Sequence, residues 1–200
     1  LLAQTSKTLT SSNELIATIA FSHSGKYFAC GGTSKLVEVW DLATGKRVAE
    51  LEGHHETIID LAVSPDEETI ASAELSQGGL FSARARFIVW NINSGEEIYN
   101  ILAGPYIRSL SYNDDGSKLV IGAHDKIQIF SMNDGTKGTE IKTKKMINFA
   151  AMKQDTVVSA MIPYEVKDKK FIYKQNNYTL KTFNTITGGE IASFSTPEFW

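Results

Sequence analysis

Cysteine is all but missing from this chain: one residue, Cys30, among 200. A single thiol closes no internal disulfide, so the fold has no covalent staple and the pattern fits a reducing compartment, the cytoplasm. No run of 18 or more apolar residues occurs, which excludes a membrane-spanning helix. The first 20 residues lack the basic start and long apolar stretch of a signal peptide, and no membrane partner is expected. The balance of 20 basic and 23 acidic residues, net −3, excludes a globally basic nucleic-acid binder and a disordered acidic tail. Nowhere does an apolar stripe of helical period persist for three turns. Also absent are the phosphate-cradling glycine loop, the dinucleotide fingerprint, the HExxH zinc helix, a CxxC pair and the GxSxG nucleophile elbow. The expectation is therefore no enzyme, no cofactor and no metal. At 42% hydrophobic content, a chain of this length still removes about 70% of its unfolded surface from water.

What is present is a repeat. An aromatic residue is followed five positions later by glycine, four times over: Trp40 and Gly45, Trp90 and Gly95, Phe130 and Gly135, Phe183 and Gly188. The segments are WDLATG, WNINSG, FSMNDG and FNTITG, with their aromatics 50, 40 and 53 residues apart. Ahead of each lies an apolar residue running into a polar turn: FSHSGK (21–26), VSPDEE (63–68), YNDDGS (112–117) and MKQDT (152–156). Between these turns the sequence alternates with period two, as in IATIAF (16–21), LVEVWD (36–41), RVAELE (47–52), KIQIFS (126–131) and EIASFS (190–195). Each period holds four short strands, a to d in chain order. The pattern predicts an all-β chain with negligible helix.

These residues resemble the WD40-repeat family, with Trp40-Asp41 as the WD dipeptide and Gly53-His54 as the GH dipeptide. The resemblance runs from about residue 4 to 195. It is strong in two repeats and degenerate afterwards, where Phe130-Ser131 and Phe183-Asn184 replace the dipeptide. It implies a β-propeller in which each repeat forms a four-stranded blade. The expected organisation is a single partial propeller domain over 1–200, with blades at 14–53, 54–103, 104–143 and 144–196. Residues 4–9 would be an outer strand of a preceding blade. Four blades fall short of the seven or eight usual for the family, and the leading strand has no home within the chain. A section of a larger propeller is therefore expected, with a closed four-bladed ring as the alternative. The resemblance also implies a hydrogen-bond network of His, Ser or Thr, Asp and Trp within a blade. His54, Ser72 and Trp90 take three of those places, the Asp has no counterpart because an insertion sits in the b–c turn, and Cys30 occupies the Ser place of the first blade. A partial network is weaker than a complete one, so the blades are expected to lean on apolar packing, with Trp40 and Trp90 on c strands between adjacent blades.

Most other polar clusters have a structural explanation. His54-His55-Glu56 would place neighbouring side chains on opposite sides with no third ligand at a fitting spacing. Asp114-Asp115 before Gly116 suits a turn between strands. Cys30 sits among apolar neighbours, and Asn177-Tyr178-Thr179 is an incidental glycosylation sequon in a chain without a secretory signal. Two b–c insertions carry more information. One is ELSQGGLFSARAR (74–86) in the second repeat, with Arg84 and Arg86; the other is PYEVKDKKFIYKQNN (163–177) in the fourth. In the family, b–c and d–a loops share the top face, and long loops on a rigid scaffold are where binding concentrates. Charge is also uneven: residues 1–100 carry 7 basic and 13 acidic side chains, and 101–200 carry 13 and 10. Lys144, Lys145, Lys167, Lys169 and Lys170 would gather on the top of the fourth blade, with Tyr164 as an aromatic anchor, facing an acidic partner.

The resemblance thus implies a non-enzymatic platform for protein–protein interaction within a larger protein or assembly. The glycine-containing loop after IASAE is similar to loops of microtubule-associated and ciliary WD40 proteins, and acidic tubulin would suit the basic patch. The alternative is a propeller enzyme or ligand binder of the quinoprotein or lactonase type. That reading needs carboxylates or histidines where the a strands begin, and those positions hold Leu15, Thr57, Tyr106 and Met146. Nucleic-acid binding is weaker still, because the basic stretch is local.

Overall fold

The computed structural model describes residues 8–75, 84–167, 170–173 and 178–195, with backbone alone at 165–167 and 170–173. Among the described residues there is no helix, as the alternation predicts. Four antiparallel four-stranded sheets follow one another in chain order. The first holds β1 (Ile16–Phe21), β2 (Tyr27–Gly32), β3 (Leu36–Asp41) and β4 (Arg47–Glu52). The second holds β5 (Ile58–Val63), β6 (Thr69–Glu74), β7 (Ala85–Asn91) and β8 (Glu97–Gly104). The third holds β9 (Ser109–Tyr112), β10 (Lys118–Ala123), β11 (Lys126–Ser131) and β12 (Lys137–Lys142). In the fourth, β13 (Met146–Lys153), β14 (Thr156–Ile162), β17 (Thr179–Asn184) and β18 (Glu190–Ser195) pair in that order. The fourth-repeat insertion is a separate hairpin of β15 (Tyr164–Lys167) and β16 (Lys170–Tyr173), with Lys167 opposite Lys170. Of the expected leading strand at 4–9, residues 4–7 lie outside the described residues and residues 8 and 9 are not in a strand.

The sheets stack face to face as blades, which explains why the inner strands are apolar on both faces while the outer ones alternate. Val37, Val39 and Leu51 of blade one pack on Ile58, Leu61, Ile70 and Trp90 of blade two. Phe87 and Val89 of blade two meet Leu110, Tyr112 and Phe130 of blade three, with the Phe87 and Phe130 rings edge to face at 5.0 Å. Val120, Ile127 and Ile141 of blade three meet Ile147, Val157 and Phe183 of blade four. The a strands β1, β5, β9 and β13 lie side by side as an inner wall. Along that wall Leu110 N–H donates to Asp60 Oδ2 at 2.6 Å and Ala150 N–H donates to Ser109 Oγ at 2.9 Å, so two blade junctions share one type of tie.

The recurring aromatic-to-glycine spacing is a c–d turn. Asp41 Oδ1 accepts from Thr44 N–H at 2.7 Å, and Asn91 and Asn184 do the same for Ser94 and Thr187 at 2.9 Å. Gly45, Gly95, Gly135 and Gly188 follow with φ of 63°, 75°, 70° and 70°, where a side chain would be strained. Asp41 of the WD dipeptide is thus a turn residue, and its three acceptor contacts hold its carboxyl below the usual range, the Thr44 N–H foremost.

Candidate functional site

Blade two carries the polar network, and the structure corrects the expectation that it is partial. Ser72 Oγ accepts from Trp90 Nε1–H at 2.7 Å and lies 2.6 Å from His54 Nε2. His54 Nδ1 lies 3.2 Å from Glu74 Oε2, so a proton on Nδ1 faces the carboxylate and leaves Nε2 to accept from the Ser72 hydroxyl. Glu74 fills the role for which the sequence offered no Asp. It lies two residues past Ser72 on β6, on the same face of the strand. Glu74 also accepts from His55 N–H at 2.9 Å and pairs with Arg86 Nε at 3.0 Å, an ion pair without the alignment of a hydrogen bond. Burial alone would raise the Glu74 carboxyl; His54, His55 and Arg86 together hold it below the usual range. A Cβ on Gly53 would stand 2.9 Å from Trp90 Cη2, so the GH glycine makes room for the indole.

Ser72, His54 and Glu74 have the connectivity of a hydrolytic triad, but no chemistry is open to it. Ser72 is 0% exposed and its oxygen already holds the Trp90 proton. The network is structural: it ties the d–a loop, β6 and β7 together.

Blade one solves the same problem differently. Cys30 stands in the Ser place and is a poor acceptor, so the buried Trp40 N–H finds only that sulfur nearby. Burial pushes the Cys30 thiol up, as expected of a core cysteine. The acid is Glu38, on β3 opposite Cys30. It is fully buried and accepts from Arg47 Nη1 at 2.7 Å, Ser12 N at 3.1 Å, Ser12 Oγ at 3.0 Å and Ser11 Oγ. Burial raises its carboxyl, and these donors outweigh burial to bring it down to about 2. Trp40 holds on β3 the place that Trp90 holds on β7. It stacks on Phe28 with ring centroids 6.2 Å apart, on the face turned away from blade two, while Trp90 alone fills a junction between blades.

The top edge carries the remaining candidates, and they divide. Arg84 is exposed beside the insertion, whose residues 76–83 lie outside the described residues. Arg86 is committed to Glu74 and so is not a free surface cation. Lys144 is exposed, and Lys145 Nζ donates to Thr179 Oγ1 at 2.8 Å. Lys167 and Lys170 are placed by backbone on the hairpin, whereas Lys169 and Asn177 lie outside the described residues. Tyr164 is half-buried with its ring 4.8 Å from His124, edge to face, and the Tyr106 ring lies 5.8 Å from the same imidazole. Burial foremost, with Arg108 beside it, lowers the His124 imidazole against the pull of Asp125. Sequence patterning pointed to Tyr164 and the lysines but not to Tyr106, Arg108 and His124, which come from loops remote in sequence. Of the four positions expected to begin the a strands, Met146 does so, while Leu15, Thr57 and Tyr106 lie just ahead of β1, β5 and β9; Leu15 is 62% exposed and Met146 is buried, with its sulfur 3.9 Å from Arg108 Nη2. Among the described residues no three His, Cys, Asp or Glu side chains gather as metal ligands.

Comparison with known proteins agrees with this geometry. The family model for the WD domain, G-beta repeat, matches residues 3–41 and 45–80. Protein tipD of Dictyostelium discoideum is 28% identical over 64% of this chain and 20% of its own length. The small ribosomal subunit protein RACK1 of Caenorhabditis elegans is 26% identical over 70% of this chain and 42% of its own. RACK1y of Oryza sativa is 29% identical over 51% of this chain and 28% of its own. The chain thus spans less than half the length of these relatives. A chain of hydrazine synthase from Kuenenia stuttgartiensis superposes with a TM-score of 0.74 over 95% of this chain and 51% of that one, at 15% identity, a likeness of fold alone. The family-model match thus lies in the first part of the chain, and the four sheets that follow one another repeat a single design throughout, so what the chain resembles is the WD40 repeat family.

Proposed function

We propose that the chain is a non-enzymatic interaction platform, a section of a larger propeller that presents the top edge of blades three and four to an acidic protein partner. The observation that carries it is the convergence there of Lys144, Lys145 and Tyr164 with the base of the β15–β16 hairpin, on a blade otherwise rigidly packed. The match to the WD-domain family model supports a scaffold class. A cytoplasmic setting fits the lone buried thiol. A cytoskeletal or ciliary assembly, with tubulin as the acidic surface, is the narrower form of the proposal and rests on the loop likeness after Glu74. The test is capture from lysate on the immobilised chain, compared with the triple variant Lys167→Glu, Lys169→Glu, Lys170→Glu. Rim charges act on association more than on stability, so the variant should capture less partner, associate more slowly and lose its salt dependence while melting unchanged. Equal capture and equal association rate would leave the basic loop with no role.

A further inference from the structure

Among the described residues, five other than glycine have positive φ: Lys35, Glu67, Tyr106, Lys144 and Gln154. Three of them have an ordinary cause. Lys35, Glu67 and Gln154 sit in turns between paired strands of one blade, and Glu67 occupies the turn place held in blades one and three by Gly25 and Gly116, each at φ 75°. Tyr106, at 55°, and Lys144, at 54°, are different. Each lies in a connection between blades, where no hairpin demands that conformation, and the two loops meet on the same top edge. Arg108 N–H donates to Gly122 O at 2.7 Å, Thr143 N–H to Asp125 O at 2.8 Å, and Ile147 N–H to His124 O at 2.9 Å. The Lys144 loop is thereby tied to the β10–β11 turn that carries His124, and the Tyr106 loop to Gly122 near the end of β10. A strained backbone persists only where its surroundings hold it, and such sites cluster where a protein binds.

The strain has a visible product. It sets the Tyr106 ring 5.8 Å from His124, on whose ring Tyr164 also packs at 4.8 Å, and both tyrosines remain half-exposed. The two loops and the start of β11 also carry cations: exposed Arg108 and Lys144, and the less exposed Lys145 and Lys126. Lys126 is partly offset by Glu140 at 3.5 Å, and Asp125 is the acid within the cluster. An aromatic ledge in a net positive rim suits a planar side chain flanked by carboxylates.

We propose that Tyr106, Tyr164, Arg108 and Lys144 form the anchoring subsite of the top face, which seats an aromatic side chain from an acidic peptide segment. This rests on the platform reading above and names the subsite and the partner chemistry within it. Glycine substitution separates binding from folding, because glycine accepts the positive φ that tyrosine and lysine resist.

The probe is a dye-labelled peptide with a central tyrosine between pairs of glutamates, followed by fluorescence anisotropy at low and moderate salt; a second peptide has alanine at its centre. Tyr106→Gly should weaken the tyrosine peptide about tenfold, as loss of an aromatic anchor does. Lys144→Gly should weaken it by about threefold, mostly in association rate. Both variants should keep or raise the melting midpoint. Lys46→Glu, on the c–d turn of blade one, should leave binding as it was. If the two peptides bind equally and Tyr106→Gly changes nothing, while Lys144→Glu with Lys145→Glu abolishes binding, the subsite is wrong and the basic platform stands. If the chain binds neither peptide, both readings fall.

Discussion

Two tryptophans in equivalent places, Trp40 and Trp90, show how much a single neighbour decides. Trp90 gives its N–H to Ser72 at 2.7 Å inside the junction of two blades; the buried Trp40 N–H, on an end face, meets no acceptor in hydrogen-bond geometry. Trp90→Phe should therefore cost about 1–2 kcal/mol, and more if His54 loses its place, whereas Trp40→Phe should be close to neutral. Urea denaturation of the two variants checks this, and equal losses would contradict it. Asp60 makes a second residue-scale prediction. Burial on the inner wall pushes its carboxyl up to about 6, against the pull of the Leu110 and Leu61 N–H groups. A native value above the unfolded one of 3.8 means that the folded chain holds the proton longer. The associated stability is full below about pH 4 and is lost as pH rises through about 6. Asn still accepts from Leu110 without carrying charge, so Asp60→Asn should raise stability at pH 7 by about 1–2 kcal/mol and flatten its pH dependence between about 4 and 6. A midpoint that falls at pH 7 would show the charge itself to be needed.

At the level of the element, what was legible in the sequence is what local chemistry determines. Period-two alternation located the strands, and the aromatic-to-glycine spacing located the turns, because a c–d turn needs an acceptor and then a residue tolerant of positive φ within a few positions. Gly95→Ala tests that reasoning. With φ at 75° and only Leu51 within contact range of a new Cβ, the cost is conformational, about 1–2 kcal/mol, and should appear without loss of packing. Thermal denaturation measures it. Glu74 was overlooked because the expected acid was sought in the turn, although its same-face spacing from Ser72 was available. Glu38 was equally visible as a charge inside LVEVW, but the Ser11 and Ser12 hydroxyls and the Arg47 fork that satisfy it come from other parts of the chain. The Tyr106, His124 and Tyr164 cluster was beyond the sequence for the same reason: three loops, 18 and 40 residues apart, are joined only by the stacking of blades three and four.

The whole molecule is a stack whose two end faces still carry the pattern of its interior. Phe149, Ala160, Leu180 and Phe194 pair across blade four in the same columns as the junction-facing residues of the earlier blades. Phe87 and Ile127 are 0% exposed there, while Leu180 and Phe194 are 43% and 61% exposed. Ile19 and Phe21 do likewise on blade one, at 59% and 61%. Contiguous apolar faces of this kind are made to be covered, as the ends of the proposed section of a larger propeller would be.

The central claim is that this top edge of blades three and four is where the partner binds. Hydrogen exchange of the chain alone and in complex with its captured partner tests it most directly. The account predicts slowed exchange confined to residues 104–108, 124–126, 143–146 and the hairpin from Tyr164, with the a–b turns at 22–26, 64–68, 113–117 and 153–156 unchanged. Protection concentrated in those a–b turns, with the top loops exchanging as before, would contradict it.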